Sequence, residues 1–442
     1  MSALPVRVRN AALVACAALG IAATGCSSSA SNDAAKSAEG VVHIKVWAWY
    51  PEFQGVVDVF NRTHKNIQID WTNAGAGTDE YTKIQTALKA GKGAPDVVMI
   101  EFQELPTINL TKHLVDMGQY GANAIKGDFV DWAWSQVSDG DKVYAIPVDA
   151  GPMALLYRKD IFDKYQLKVP TTWDEFRTEA QKLKAASPGS FMTDFGANDA
   201  GFMMGLMQQA GSRPYTYSAS NLPNIGVNVN NDGAKKAMTY WQGMVADKLA
   251  DTTGYGTTDF YNGLTTGKYA TYIAAGWGPG YLSSVAKTTS GKWRAAPLPQ
   301  WTAGGTVQAD WGGSSFAVTD QSQHPKEATQ VAMEIFGSAQ EPWKIGIDKA
   351  FLFPTAKPIL TWDYFVNKEY EFFGGQKVNT VFVPAANGAG TFDWTPFNDF
   401  AANQITTAIG QAVQKKASFT DALDTVQRNV TDYAGKQGFK LQ

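Results

Sequence analysis

Three observations predict an α/β protein of about two domains built on a doubly wound parallel sheet. The chain has 442 residues, too many for one ordinary hydrophobic core. Its composition is globular, 44% hydrophobic and 18% charged. From Val41 onward, β-branched runs alternate with stretches of helical periodicity, the pattern of parallel strands joined by crossover helices.

The N-terminus comes first. Arg7 and Arg9 precede an apolar run, Ala11 to Ala23, that is too short to span a bilayer. Ala23-Thr24-Gly25-Cys26 then looks like a bacterial lipobox, with Ala23 where leucine is usual. Residues 1–25 are expected to be a cleaved lipoprotein signal peptide, and Cys26 the lipidated first residue of the mature chain. Residues 26–40, rich in Ser, Ala and Asn, are the expected flexible tether. The other cysteine, Cys16, leaves with the leader, so no internal disulfide is expected. The protein is placed at the extracytoplasmic face of the bacterial cell membrane.

Val41–Trp47 predicts a strand and Pro51–Phe60 a helix. Ile67–Trp71 alternates as a strand, Asp79–Ala90 is helical with Gly91 as terminator, and Asp96–Glu101 is a short buried strand. Val143–Pro147 and Met153–Tyr157 are strands flanking Val148-Asp149-Ala150-Gly151-Pro152, where the chain is expected to leave the first lobe. Thr172 predicts a helix cap, with Glu175 reaching back as a capping box. A helix over Asp232–Asp247 and a strand over Tyr269–Ala275 follow. Trp293–Trp301 is expected to return to the first lobe, ahead of strand Ser314–Val318 and helix Lys326–Phe336. The rest is mostly helical, with Thr420–Tyr433 one amphipathic segment.

Ligands of open α/β sheets bind beyond the carboxyl ends of the strands. That rule singles out Trp49 and Tyr50 after the first strand, and Glu101 and Gln103 after the third. Asp149 stands at the crossover, Trp277 follows a later strand among Gly276, Gly278 and Gly280, whose lack of side-chain bulk is expected to let a ligand approach, and Trp311 precedes Gly312-Gly313. Trp394 is a further candidate late in the chain. Each also has a plain structural reading, as a core ring, a cap or a turn. Trp47, Trp132, Trp134 and Trp173 are expected to pack in the core.

Several classes are excluded or unsupported. The formal net charge of -3 leaves no basic surplus for nucleic acid. The four histidines are scattered, with no zinc spacing, and no nucleophile elbow occurs. Gly263-Leu264-Thr265-Thr266-Gly267-Lys268-Tyr269 imitates a phosphate loop but lacks one residue and the Ser/Thr after lysine. No catalytic residue, cofactor or metal is called, and the protein is not expected to be an enzyme. What remains is recognition chemistry. The chain carries 14 Trp, 17 Tyr and 23 Phe; an indole matches the apolar face of a pyranose, while carboxylates and amides match its hydroxyl rim. One stack removes roughly 40–60 Å² of apolar surface, about 1–1.5 kcal/mol. Two or three such platforms plus hydroxyl contacts are needed to reach about -8 kcal/mol, micromolar affinity, against the entropy of association.

These residues resemble the extracellular solute-binding proteins (family 1) of carbohydrate ABC transporters, the family that includes maltose-binding protein. The likeness rests on the lipobox and on Pro95–Glu101, Tyr144–Phe162, Pro170–Phe176, Phe260–Pro279 and Trp311–Val318, in that order and spacing. It implies two periplasmic-binding-protein-like lobes, each doubly wound and discontinuous, joined by hinge strands around a ligand cleft. The lobes are expected to be 41–150 with 297–340, and 151–296 with 341–442. The implied ligand is a di- to tetrasaccharide and the implied partners are permease subunits, with the protein a monomer anchored through Cys26. Other solutes (polyol phosphate, polyamine, peptide) and a surface glycoside hydrolase are the alternatives. A phosphate would call for a cation such as Arg213 in the cleft.

Overall fold

The computed structural model describes residues 40–442. The leader, Cys26 and all of the tether but Gly40 lie outside the described residues.

The first lobe begins with β1 (Val42–Trp47), α1 (Phe53–Thr63), β2 (Ile67–Thr72), α2 (Thr78–Lys89), β3 (Val97–Glu101) and α3 (Leu105–Asn109). The chain then forms β4 (Ile146–Pro152) and, after the single residue Met153, β5 (Ala154–Arg158). Next come α4 (Trp173–Ala186), β6 (Thr193–Asp194), α5 (Ala200–Gln209), α6 (Asp232–Ala246), β7 (Ala250–Asp251) and α7 (Thr258–Thr266). They are followed by β8 (Thr271–Ala274), α8 (Gly278–Val285), β9 (Trp293–Pro297), β10 (Asp310–Val318), α9 (Pro325–Glu334) and α10 (Gln340–Ile345). A helical hairpin, α11 (Asn398–Lys415) and α12 (Phe419–Lys436), follows late in the chain.

The first sheet has the order β2-β1-β3-β10-β4. Strands β1, β2 and β3 are parallel, and β10 runs against both of its neighbours. Its interior is as apolar as the β-branched runs predicted: Ile44, Val46, Val97, Val98 and Ile100 are fully buried. The second sheet is mixed. β8 and β9 flank β5 in antiparallel register, and backbone bonds from Ala270 and Thr271 to Phe191 and Met192 join β8 to β6 and thence β7. Its core is aromatic, around Trp173, Phe176, Phe195 and Trp241.

Four readings of the fold need correction. Trp293–Pro297 does not return to the first lobe but is β9, paired with β5; the return comes at Asp310. An apolar strand reads alike whichever sheet takes it. The expected division at 340/341 falls within a segment still on the first lobe: α10 packs on α1, Trp343 stacks beside Phe336, and Ala150 N donates to Phe353 O at 2.9 Å. Trp47 is half-buried at the sheet surface rather than in the core, while Trp132, Trp134 and Trp173 are buried. The capping box is also displaced. Thr172 Oγ1 accepts from Glu175 N as expected, yet the Glu175 carboxylate accepts from Thr171 N at 2.7 Å, one residue earlier.

The lobes are tied where β4 becomes β5. Gly151 lies so close to β10 that an added Cβ would stand 1.9 Å from Trp311 O. Backbone against backbone cannot yield cheaply, so Gly151→Ala is expected to cost about 1–3 kcal/mol and to push Trp311 from its place. Urea unfolding reads the loss; an unchanged midpoint would show that the two strands separate freely.

Candidate ligand-binding cleft

Because β10 is antiparallel, its first residues meet the carboxyl ends of β1 and β3 at one rim. Ser314 stands opposite Glu101 on one side and Asp149 on the other. Over this rim opens a cavity of about 480 Å³, within the range of small-molecule sites. All the candidates singled out from the sequence line it. Trp49, Tyr50, Glu101, Gln103 and Asp149 come from the first sheet. Trp277 follows β8, Trp311 lies in β10 and Trp394 precedes α11.

Their roles differ. Trp49 is half-buried and meets the edge of Tyr81 at 5.7 Å. Tyr50 is only 4% exposed, wedged among Phe53, Phe316 and Phe336. Its single hydroxyl proton is shared between Asp149 Oδ1, at 3.2 Å, and Ser314 Oγ, while the Ser314 hydroxyl donates to the same carboxylate. Tyr50 thus secures Asp149 from beneath. Glu101 accepts from Tyr81 OH at 2.8 Å, while its backbone N–H donates to that phenol oxygen. Burial pushes Glu101, Asp149 and Asp199 above the usual carboxylate range, offset in part by these bonds.

The opposite wall is indole. Trp277 and Trp311 meet at 5.0 Å and 66°, and Trp277 Nε1 donates to Trp311 O at 3.3 Å. Trp311 is braced by Phe202 and Tyr255 at 5.5 and 5.4 Å. Trp394 stands against Phe392 at 4.8 Å. The glycines around Trp277 do not open the site to a ligand as expected. A Cβ on Gly276, Gly278 or Gly280 would strike Phe353, Ala274 or Phe351, so those positions are small for the sake of protein packing.

Sequence reasoning missed Tyr81, Glu104, Asp199 and Asn398, which share the cavity. Asp199 had a local signal, since it caps α5 by accepting from Phe202 N at 2.8 Å. Tyr81 could have been placed from the inward phase of α2. Glu104 and Asn398 meet across 294 positions of sequence and carried none. Arg213 does not line the cavity; its guanidinium donates to Gln208 O and Ser212 O. The phosphate-loop imitation is the end of α7, with Gly267 at its C-terminus. Among the described residues no group of three or more His, Cys, Asp or Glu is placed to hold a metal, and no helix is long and apolar enough to cross a membrane.

The family described as bacterial extracellular solute-binding protein matches residues 48–339. The lactose-binding protein of Rhizobium radiobacter is 27% identical over 367 residues, 78% of this chain and 83% of its own length. The ABC transporter associated binding protein from B. animalis subsp. lactis Bl-04, solved in complex with beta-1,6-galactobiose, is 30% identical. That alignment covers 91% of this chain and 100% of the other, at a TM-score of 0.77. The galacto-N-biose-/lacto-N-biose I-binding protein of the Bifidobacterium longum ABC transporter, in complex with lacto-N-biose, is 27% identical. It is covered 100%, against 92% of this chain, at a TM-score of 0.80.

Proposed function

Because this chain belongs to the bacterial extracellular solute-binding protein family, we propose that its cleft captures a di- to tetrasaccharide and delivers it to the permease of an ATP-driven importer. The observation that carries this reading is the convergence of indoles from both sheets on one acid-lined cavity. Trp49 comes from the end of β1 and Trp277 from the end of β8. The three relatives compared above are named for, or hold, disaccharides. Trp49, Trp277, Trp311 and Trp394 supply the apolar platforms, and Glu101, Gln103 and Asp149 accept from sugar hydroxyls. Tyr50 holds Asp149 in place. No bond of the sugar is broken.

In this mechanism sugar binds one wall, and the lobes close by bending near Met153 and the segment before β10, completing contacts from both sides. Ligand shifts the population toward the closed form, which docks on the permease. Cys26 carries the lipid that keeps the protein at the membrane surface.

Calorimetry across neutral di- to tetrasaccharides, with amino acids and polyamines as controls, tests the reading. One saccharide is expected to bind at about micromolar Kd or tighter and to be recovered uncut. Binding only among the controls, or shortened sugar products, would overturn it. Trp277→Ala removes one stack and is expected to weaken the best saccharide by about tenfold; unchanged affinity would take Trp277 out of the site.

A further inference from the structure

Three buried side-chain oxygens in the cleft have no hydrogen-bond partner among the described residues: Gln103 Oε1, Glu104 Oε2 and Asn398 Oδ1. Glu104 is 3% exposed and Asn398 5% exposed, so solvent does not serve them freely. Asn398 Nδ2 donates to Glu104 Oε1 at 3.2 Å, which leaves Asn398 Oδ1 over as an acceptor. Buried acceptors left dry are costly and rare in native proteins. They stand on both sides of the cleft, Gln103 and Glu104 just after β3 and Asn398 at the start of α11.

The titratable side chains around these oxygens are acids. Glu101, Asp149, Asp199 and Asp399 line the same cavity, and among the described residues no Lys, Arg or His does. Burial, with Asp399 close by, pushes Glu104 up to about 8, against the pull of the Asn398 bond.

We propose that this cleft selects its saccharide by hydrogen-bond polarity and by its acidic lining: it takes sugars that offer O–H or N–H donors to Gln103 and Asn398, and rejects sugars carrying a carboxylate or phosphate. This rests on the saccharide reading above and narrows its substrate class. A sugar hydroxyl can donate to Gln103 Oε1 and to Asn398 Oδ1. A carboxylate has only lone pairs to offer; it would leave both acceptors unpaired and set its charge in an acid-lined, poorly screened space.

The test uses lactose, maltose, beta-1,6-galactobiose and maltotriose, each beside its counterpart oxidised to a 6-carboxylate at a terminal unit with a free C6 hydroxyl (for the galactobiose, the non-reducing unit), titrated calorimetrically at neutral pH. The neutral parent that binds is expected to exceed its uronates by about a hundredfold or more. Asp399→Asn, on the exposed rim, removes a charge and is expected to shrink that ratio by about tenfold. A uronate within about fivefold of its parent in the unaltered protein overturns the inference while leaving the saccharide reading intact. A ratio that Asp399→Asn does not move overturns it too. If no neutral sugar binds, the saccharide reading fails, and this inference with it.

Discussion

Trp311→Ala is expected to lose saccharide binding by about a hundredfold or more and to lower stability by about 3–5 kcal/mol. The side chain is 8% exposed and touches two different things at once. Toward the second lobe it packs on Phe202 and Tyr255, and toward the cleft it meets Trp277 edge-on. Emptying that volume leaves a cavity that the braced aromatics cannot fill by collapse. It also removes the surface against which Trp277 is held, so two platforms fail together, whereas Trp277→Ala loses one. Calorimetry and urea unfolding on the same protein separate the two effects. Affinity within about fivefold of the parent would show that the indole belongs to the core alone.

Glu80→Gln is expected to stabilise the protein on the alkaline side, by about 3 kcal/mol near pH 9. Glu80 shares the buried stripe of α2 with Ile84 and Leu88, is 0% exposed, and neither carboxyl oxygen has a partner. Burial pushes it from 4.5 up to about 8, with Lys83 pulling weakly the other way. The sign follows from the raised value. The folded protein holds this proton more tightly than the unfolded chain, so the contribution is whole below about pH 4.5 and is lost as pH rises to about 8. Full linkage sets a ceiling of about 4–5 kcal/mol, which local relaxation reduces. Melting at about pH 5 and pH 9 should show the parent falling by about 3 °C more than the variant. Parallel pH profiles for the two proteins would mean that Glu80 finds a partner or water when it ionises. The helix matters to the cleft because the next residue, Tyr81, bonds Glu101.

The first lobe was readable along the chain because its signals are local. Alternating β-branched residues gave β1, β2 and β3 within a residue or two, and helical spacing gave α1, α2 and α9. The rule that ligands gather at strand ends was enough to pick Trp49, Glu101 and Gln103, which share a cavity. Asp149 needed the crossover as well. Identity of the sheet was a different matter. β9 has the same apolar character as a first-lobe strand, and only its register with β5 assigns it to the second sheet. The run Gly276, Gly278, Gly280 looked like room for a ligand, but the space beside it is filled by Phe351 and Phe353, more than seventy positions on.

Period, capping and composition therefore determined the class of fold, the order of its elements and the residue types able to hold a sugar, since each is a property of neighbours along the chain. Only the folded chain decided which sheet each strand joins, that Tyr50 supports Asp149 from below, and that Glu104 meets Asn398 with oxygens to spare. Those outcomes depend on the relative docking of distant segments, and contacts of that kind leave no periodic trace in the residues that make them.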